Sequence, residues 1–179
     1  MTIEVPLAIP DGAWAFGRRA EDGEPVDWLP IIPVPGKDWV LGMSREGAWV
    51  RGSSSRVIEM QGDGFVAALP FLEMTRSEFE LTAIEEVVGR GLSPEIGRRL
   101  PVEQLVRTGL SRPRDYWPGL AMAWLSDASA KEMKRVSPLL RSLHEDKKGR
   151  SQKTRQNAFR LLSRLDSRPS PGGTAVPAR

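Results

Sequence analysis

Between Ser151 and Leu165 the chain carries Lys153, Arg155, Arg160 and Arg164, the amides Gln152, Gln156 and Asn157, and no acid. These are the groups that hold and read duplex DNA. Arg and Lys pair with guanine O6 and N7, Gln and Asn with adenine N6 and N7, and the remaining cations meet phosphate. Successive helical residues turn by about 100°, so a helix that buries Thr154, Ala158, Leu161, Leu162 and Leu165 presents Lys153, Gln156, Arg160, Ser163 and Arg164 outward. Gln152 and Asn157 fall on its flanks. On this reading Lys153, Gln156, Asn157 and Arg160 are base readers, and Lys147, Lys148, Arg150, Arg155 and Arg164 contact phosphate. Ser151 would donate to a phosphate at the helix N-terminus, where the dipole favours an anion. The competing explanation is an α-hairpin whose outer face is merely solvated.

Three helices are expected to position that face, over residues 111–166. Asp115 is the expected cap of the first, running to about Ser126 with Pro118 in its first turn. Trp117, Leu120, Ala121, Trp124 and Leu125 follow the i, i+3, i+4, i+7, i+8 spacing of an amphipathic helix. Ser129 and Glu132 form a capping box for the second, whose apolar positions are Met133, Val136, Leu140 and Leu143. Pro138 is expected to kink or restart it, and Gly149 to close it after Lys147 and Lys148. Ser151 then caps the third helix, so the order is helix, short turn, second helix, as in a helix-turn-helix. Residues 167–179 are rich in Pro, Gly and Ser and are expected to be a disordered tail.

Residues 1–75 are expected to be a β-rich domain. Asp11-Gly12, Asp22-Gly23 and Asp63-Gly64 are turn dipeptides, and Pro25, Pro30, Pro33 and Pro35 keep residues 24–37 extended. Trp39 to Met43, Gly47 to Arg51 and Arg56 to Met60 are β-prone runs, and Phe65 to Leu72 is a further apolar run broken by Pro70. Trp14, Trp28, Trp39 and Trp49 suit either a base-stacking surface or the core of a small sheet, with the core preferred. Residues 76–110 are connecting short elements. Ser77 and Glu80 suggest a capping box, and Phe79, Ala83, Ile84, Val87 and Val88 share a helical face, although Phe79, Leu81 and Ala83 also alternate as in a strand. Ser93-Pro94 opens a further short helix, and Pro101 another over Val102 to Thr108 that Gly109 stops. The fold class is therefore α+β, a small β-rich N-terminal half followed by a C-terminal three-helix unit.

The segment SPEIGRRLPVEQLVRTGL (Ser93 to Leu110) and the pattern RSxxTxxxAxxLLxxL (Arg150 to Leu165) resemble uncharacterised actinobacterial and phage-borne proteins with a β-rich front and a C-terminal tri-helix. That resemblance implies a helix-turn-helix or homeodomain-like end, and a strand over Glu78 to Val88. It rests on no catalytic or ligand residue, and the turn Lys147 to Arg150 is more charged than its pattern.

Composition supports the same region. The 179 residues hold 26 Lys+Arg and 23 Asp+Glu, a formal net charge of +3. That sum hides an acidic front, with 6 basic and 11 acidic residues over 1–75, and a basic back, with 12 basic and 4 acidic over 131–168. Such asymmetry points to a polyanionic partner. The absence of Cys excludes disulfides, thiol catalysis and thiolate zinc, and the single His144 excludes a multi-histidine metal site. No phosphate loop, dinucleotide fingerprint, zinc-protease or nucleophile-elbow motif is present. The pairs Glu21-Asp22, Glu85-Glu86 and Glu145-Asp146 make no local acid–base dyad, and Arg51-Gly-Ser-Ser-Ser-Arg56 reads as a hairpin loop before an anion nest. The expectation is a non-enzymatic DNA-binding protein, with no metal or cofactor, acting in regulation of transcription. The alternative is a protein-interaction or structural module whose basic helices meet an acidic protein or the chain's own acidic front, with a homodimer as a further candidate arrangement. No run is long enough to span a membrane, and MTIEVPLAIP lacks the basic stretch and apolar core of a signal peptide, so a cytoplasmic location is expected.

Overall fold

The computed structural model describes residues 9–53 and 56–166, and the chain divides into two compact units, Met1–Gly109 and Leu110–Arg179. The expected tail lies outside the described residues, as do Ser54 and Ser55 of the suggested nest.

The first unit is built on a closed barrel of five strands, β1 (Ala15–Arg19), β2 (Pro25–Pro33), β3 (Val40–Ser44), β4 (Trp49–Gly52) and β5 (Arg56–Glu59). Successive strands pair antiparallel, and β1 closes on β5 in parallel, with the Ala20 amide donating to the Val57 carbonyl at 2.8 Å. The prolines that kept residues 24–37 extended sit where a strand tolerates them. Pro25 begins β2, Pro33 ends it, and Pro30 adjoins the register shift before Ile32.

One indole fills the barrel. Trp28 is buried with Val26, Val50 and Val57, while Trp14, Trp39 and Trp49 are half-buried. Glycines on the neighbouring strands make the room. A Cβ at Gly42 or Gly52 would lie 2.7 Å or 2.5 Å from a Trp28 ring carbon, and one at Gly17 would lie 2.5 Å from Val57. The β2 residues Leu29, Ile31 and Ile32 are also buried. β2 packs against α1 (Arg76–Val88), and residues 62–73 form a 3₁₀ segment that buries Phe65, Leu69, Phe71 and Leu72.

The strand implied for Glu78 to Val88 is corrected by that helix. Phe79, Ala83 and Val87 are fully buried at i, i+4 and i+8, whereas Leu81, which the strand alternation needed, is 56% exposed. The capping box also moves. Thr75 accepts from the Glu78 amide and Glu78 accepts from the Thr75 amide at 2.8 Å, while Glu80 pairs with Arg76. Ser93 caps α2 (Pro94–Arg98) as expected. Gly97 lets α2 cross α1 closely, since a Cβ there would lie 2.8 Å from the Ile84 backbone. α3 (Val102–Leu110) runs through Gly109 instead of stopping there.

The second unit holds α4 (Tyr116–Trp124), a 3₁₀ turn (Leu125–Asp127), α5 (Ala130–Glu145) and α6 (Gln152–Asp166), with α4 and α5 both packed on α6. The Ser129–Glu132 box is present, and Met133, Val136, Leu140 and Leu143 are all buried. α5 is continuous through Pro138. The ring removes the amide that would meet the Lys134 carbonyl, and the Ser137 hydroxyl donates to that carbonyl at 2.9 Å instead. Gly149 does not close α5 in a left-handed conformation. It receives the folded-back Asp146 carboxylate, which accepts from its amide at 2.7 Å and would lie 2.4 Å from a Cβ.

Candidate nucleic-acid interface

α6 turns its apolar stripe inward through Thr154, Ala158 and Leu161, which are buried, and Leu162 and Leu165, which are half-buried. Lys153, Gln156 and Arg160 lie on the opposite side, all exposed, and none has a hydrogen-bond or ion-pair partner among the described residues. Lys147 and Lys148 are likewise exposed in the turn before α6. Together they form a cationic stripe carrying one amide.

The other expected contacts are drawn into the structure to different degrees. Arg150 keeps only 10% of its side chain exposed. Its Nη2 donates to the Arg112 carbonyl at 2.6 Å, Nη1 lies 3.5 Å from Asp115 Oδ1, and Nε lies 3.8 Å from Asp146 Oδ2. Ser151 caps α6, its Oγ accepting from the Thr154 amide at 3.2 Å and donating to Thr154 Oγ1 at 3.1 Å. Its own amide donates to Asp115 Oδ2 at 2.9 Å. A carboxylate of the chain therefore stands at the N-terminus of α6, where the sequence suggested a phosphate.

Asp115 occupies the N-cap position of α4 but makes no cap hydrogen bond there, because its side chain reaches across to α6. Hydrogen bonding from Ser151, helped by Thr154 and Arg150, holds its carboxyl below the usual carboxylate range despite some desolvation. Arg155 is half-buried, and its Nε is buried with no hydrogen-bond partner among the described residues. Arg164 is exposed and donates to the Ser126 carbonyl at 2.8 Å.

Asn157, half-buried, points along a flank of α6 rather than its crest. With Arg160, Arg164 and Leu161 it faces Gly119, Met122 and Ser126 of the α4 region across a groove of about 250 Å³. The opposite flank carries Phe159, 56% exposed, whose ring lies 5.2 Å from that of His144. The His144 Nδ1 is 3.3 Å from the Arg155 carbonyl, which ties α5 to α6. Phe159 was missed as a surface residue. Its position, about 100° from the buried Ala158, was the available signal. The groove had none, because it depends on how α4 meets α6.

No known family, curated protein or solved structure matches the chain. Among the described residues, no helix is long and apolar enough to cross a membrane.

Proposed function

We propose that the unit beginning at Leu110 binds duplex DNA through α6, in a non-enzymatic role in regulation of transcription. The observation that carries this reading is the exposed stripe of Lys153, Gln156 and Arg160, which has no acid on it and no partner among the described residues. From Lys153 to Arg160 the helix rises roughly 10 Å, about three base-pair steps, and the major groove is about 12 Å wide. Lys153, Gln156 and Arg160 are the base readers in this proposal, with Asn157 reaching from the flank. Lys147 and Lys148 are the principal phosphate contacts, joined by Arg164 and by Arg155 where their side chains swing out. Arg150 and Ser151 hold the turn that aims α6, and act on DNA only through that geometry.

The test is fluorescence anisotropy of a labelled duplex at low and moderate salt. Affinity is expected in the range of roughly 10⁻⁴ to 10⁻⁶ M or tighter, falling with salt at about 0.9 log units per neutralised phosphate. No binding at tens of micromolar in low salt would rule the reading out. One observation favours a second reading, an acidic protein partner: the α4–α6 groove has Met122 and Leu161 along its apolar floor and Arg160 and Arg164 on its rim. On that reading an acidic peptide would compete with DNA for Arg160.

A further inference from the structure

The acidic total of residues 1–75 conceals a local pair of cations on the barrel, Arg51 near the end of β4 and Arg56 at the start of β5.

Two arginines of the first unit each lie over a tryptophan. The Arg45 guanidinium lies 5.0 Å from the Trp14 ring centroid and is neutralised by Asp11 at 3.0 Å and Asp27 at 3.2 Å. The Arg51 guanidinium lies 5.7 Å from the Trp39 ring centroid, and no described carboxylate pairs with it. Arg56 is exposed and equally without an acid partner among the described residues. Arg51, Trp39, Arg56 and Ile58 line one groove of about 330 Å³, with Asp38 on its edge. Only the first pair has its charge satisfied among the described residues.

We infer that this groove of the barrel binds single-stranded nucleic acid, through the base and phosphodiester that DNA and RNA share. An arginine beside an indole offers a cationic and aromatic surface to an unpaired base, and a second cation close by takes the adjoining phosphate. Arg51 on Trp39 is the platform, and Arg56 is the phosphate contact. A base within a duplex has its faces covered by its neighbours, so the site selects single strands. Asp38 and Ser53 add only a few hydrogen-bonding groups to the groove, so binding is expected to be tolerant of sequence. This inference is independent of the duplex reading of α6, which uses a different unit.

The experiment uses the full chain carrying Lys147→Ala, Lys148→Ala, Lys153→Ala and Arg160→Ala, so that the α6 stripe contributes little. Labelled oligo(dT) and oligo(U) are titrated by anisotropy at low salt, with intrinsic tryptophan fluorescence read in parallel. Binding of at least one strand is expected, and whichever is tighter identifies DNA or RNA as the preferred source. Arg51→Ala and Arg56→Gln should each weaken it by about tenfold, and Trp39→Phe should remove most of the tryptophan quenching. Arg45→Ala, outside the groove, should leave it within about twofold. Arg56→Gln lies at an exposed position, and an unchanged unfolding midpoint establishes that its effect is not misfolding. Strand affinity unaltered by Arg51→Ala and Arg56→Gln would overturn the inference. So would a polyglutamate peptide that binds as tightly and fails to bind the same variants, since that would assign the groove to an acidic protein.

Discussion

Arg150 is nine-tenths buried and meets the Arg112 carbonyl, Asp115 and Asp146, whereas Arg160, in the same basic stretch, is exposed and meets no partner among the described residues. The two make equal contributions to the net charge of residues 131–168. They differ in what the charge is available to do. Arg150 is held by carboxylates brought from the α3–α4 connection and from the end of α5, and its role is to fix the turn that launches α6. Arg160 sits opposite the stripe that packs α6 down, so helical geometry itself sends it to solvent. A count of basic residues locates a polyanion-binding region but cannot separate the cations that build it from those left over for a ligand. The barrel repeats the lesson with Arg45 and Arg51, one neutralised and the other not.

The contrast is most exposed to a substitution at Arg150. Arg150→Ala leaves Asp115 and Asp146 without their cation and the Arg112 carbonyl without its donor, and should destabilise the chain by about 3 kcal/mol, read from denaturant unfolding. A loss below about 0.5 kcal/mol would mean that Arg150 is as free as Arg160. Lys153→Ala with Arg160→Ala should show the reverse pattern. Stability should stay within about 0.5 kcal/mol of the parent, while duplex affinity falls by about 1–3 kcal/mol for each base reader removed. An equal drop in binding from an Arg150 variant that remains folded would erase the distinction.

A smaller effect is expected at the N-terminus of α6. Ser151→Ala removes a cap hydrogen bond and should cost about 1 kcal/mol in thermal unfolding, with little change in DNA affinity measured on the folded protein. The smallest is a matter of pH. The Asp115 carboxyl is lowered from its ordinary value of 3.8 in the folded chain, so its contribution is fully present above that value. It is lost as pH falls below 3.8 and through the folded value, because the unfolded chain takes up the proton first. Asp115→Asn should therefore flatten the acid limb of the unfolding midpoint against pH. An unchanged limb would remove Asp115 from the joint.

The α-helical unit was the more legible half. The Ser129–Glu132 box and the spacing of Met133, Val136, Leu140 and Leu143 are local patterns with local causes, and all are realised. The β-prone runs at Trp39 to Met43, Gly47 to Arg51 and Arg56 to Met60 fall on β3, β4 and β5 with small shifts at their ends. The N-terminal boundary of α1 was less legible, because Thr75–Glu78 and Ser77–Glu80 both have box composition and only the packed helix selects the first. Asp115 was read as a cap for its own helix because a sequence presents neighbours first, while its carboxylate serves a residue far along the chain.

What the sequence by itself determined is periodicity: which faces of α5 and α6 are apolar, which residues of α6 must oppose them, and where prolines hold the chain extended. Those properties follow from bond geometry within a few residues. What only the tertiary structure decided is which polar groups are consumed. The closure of β1 on β5, the two glycines that admit Trp28, the carboxylate at the N-terminus of α6 and the groove that gathers Trp39, Arg51 and Arg56 all bring together residues remote in sequence. Charge is a property of a residue, but its availability is a property of the neighbours that folding supplies.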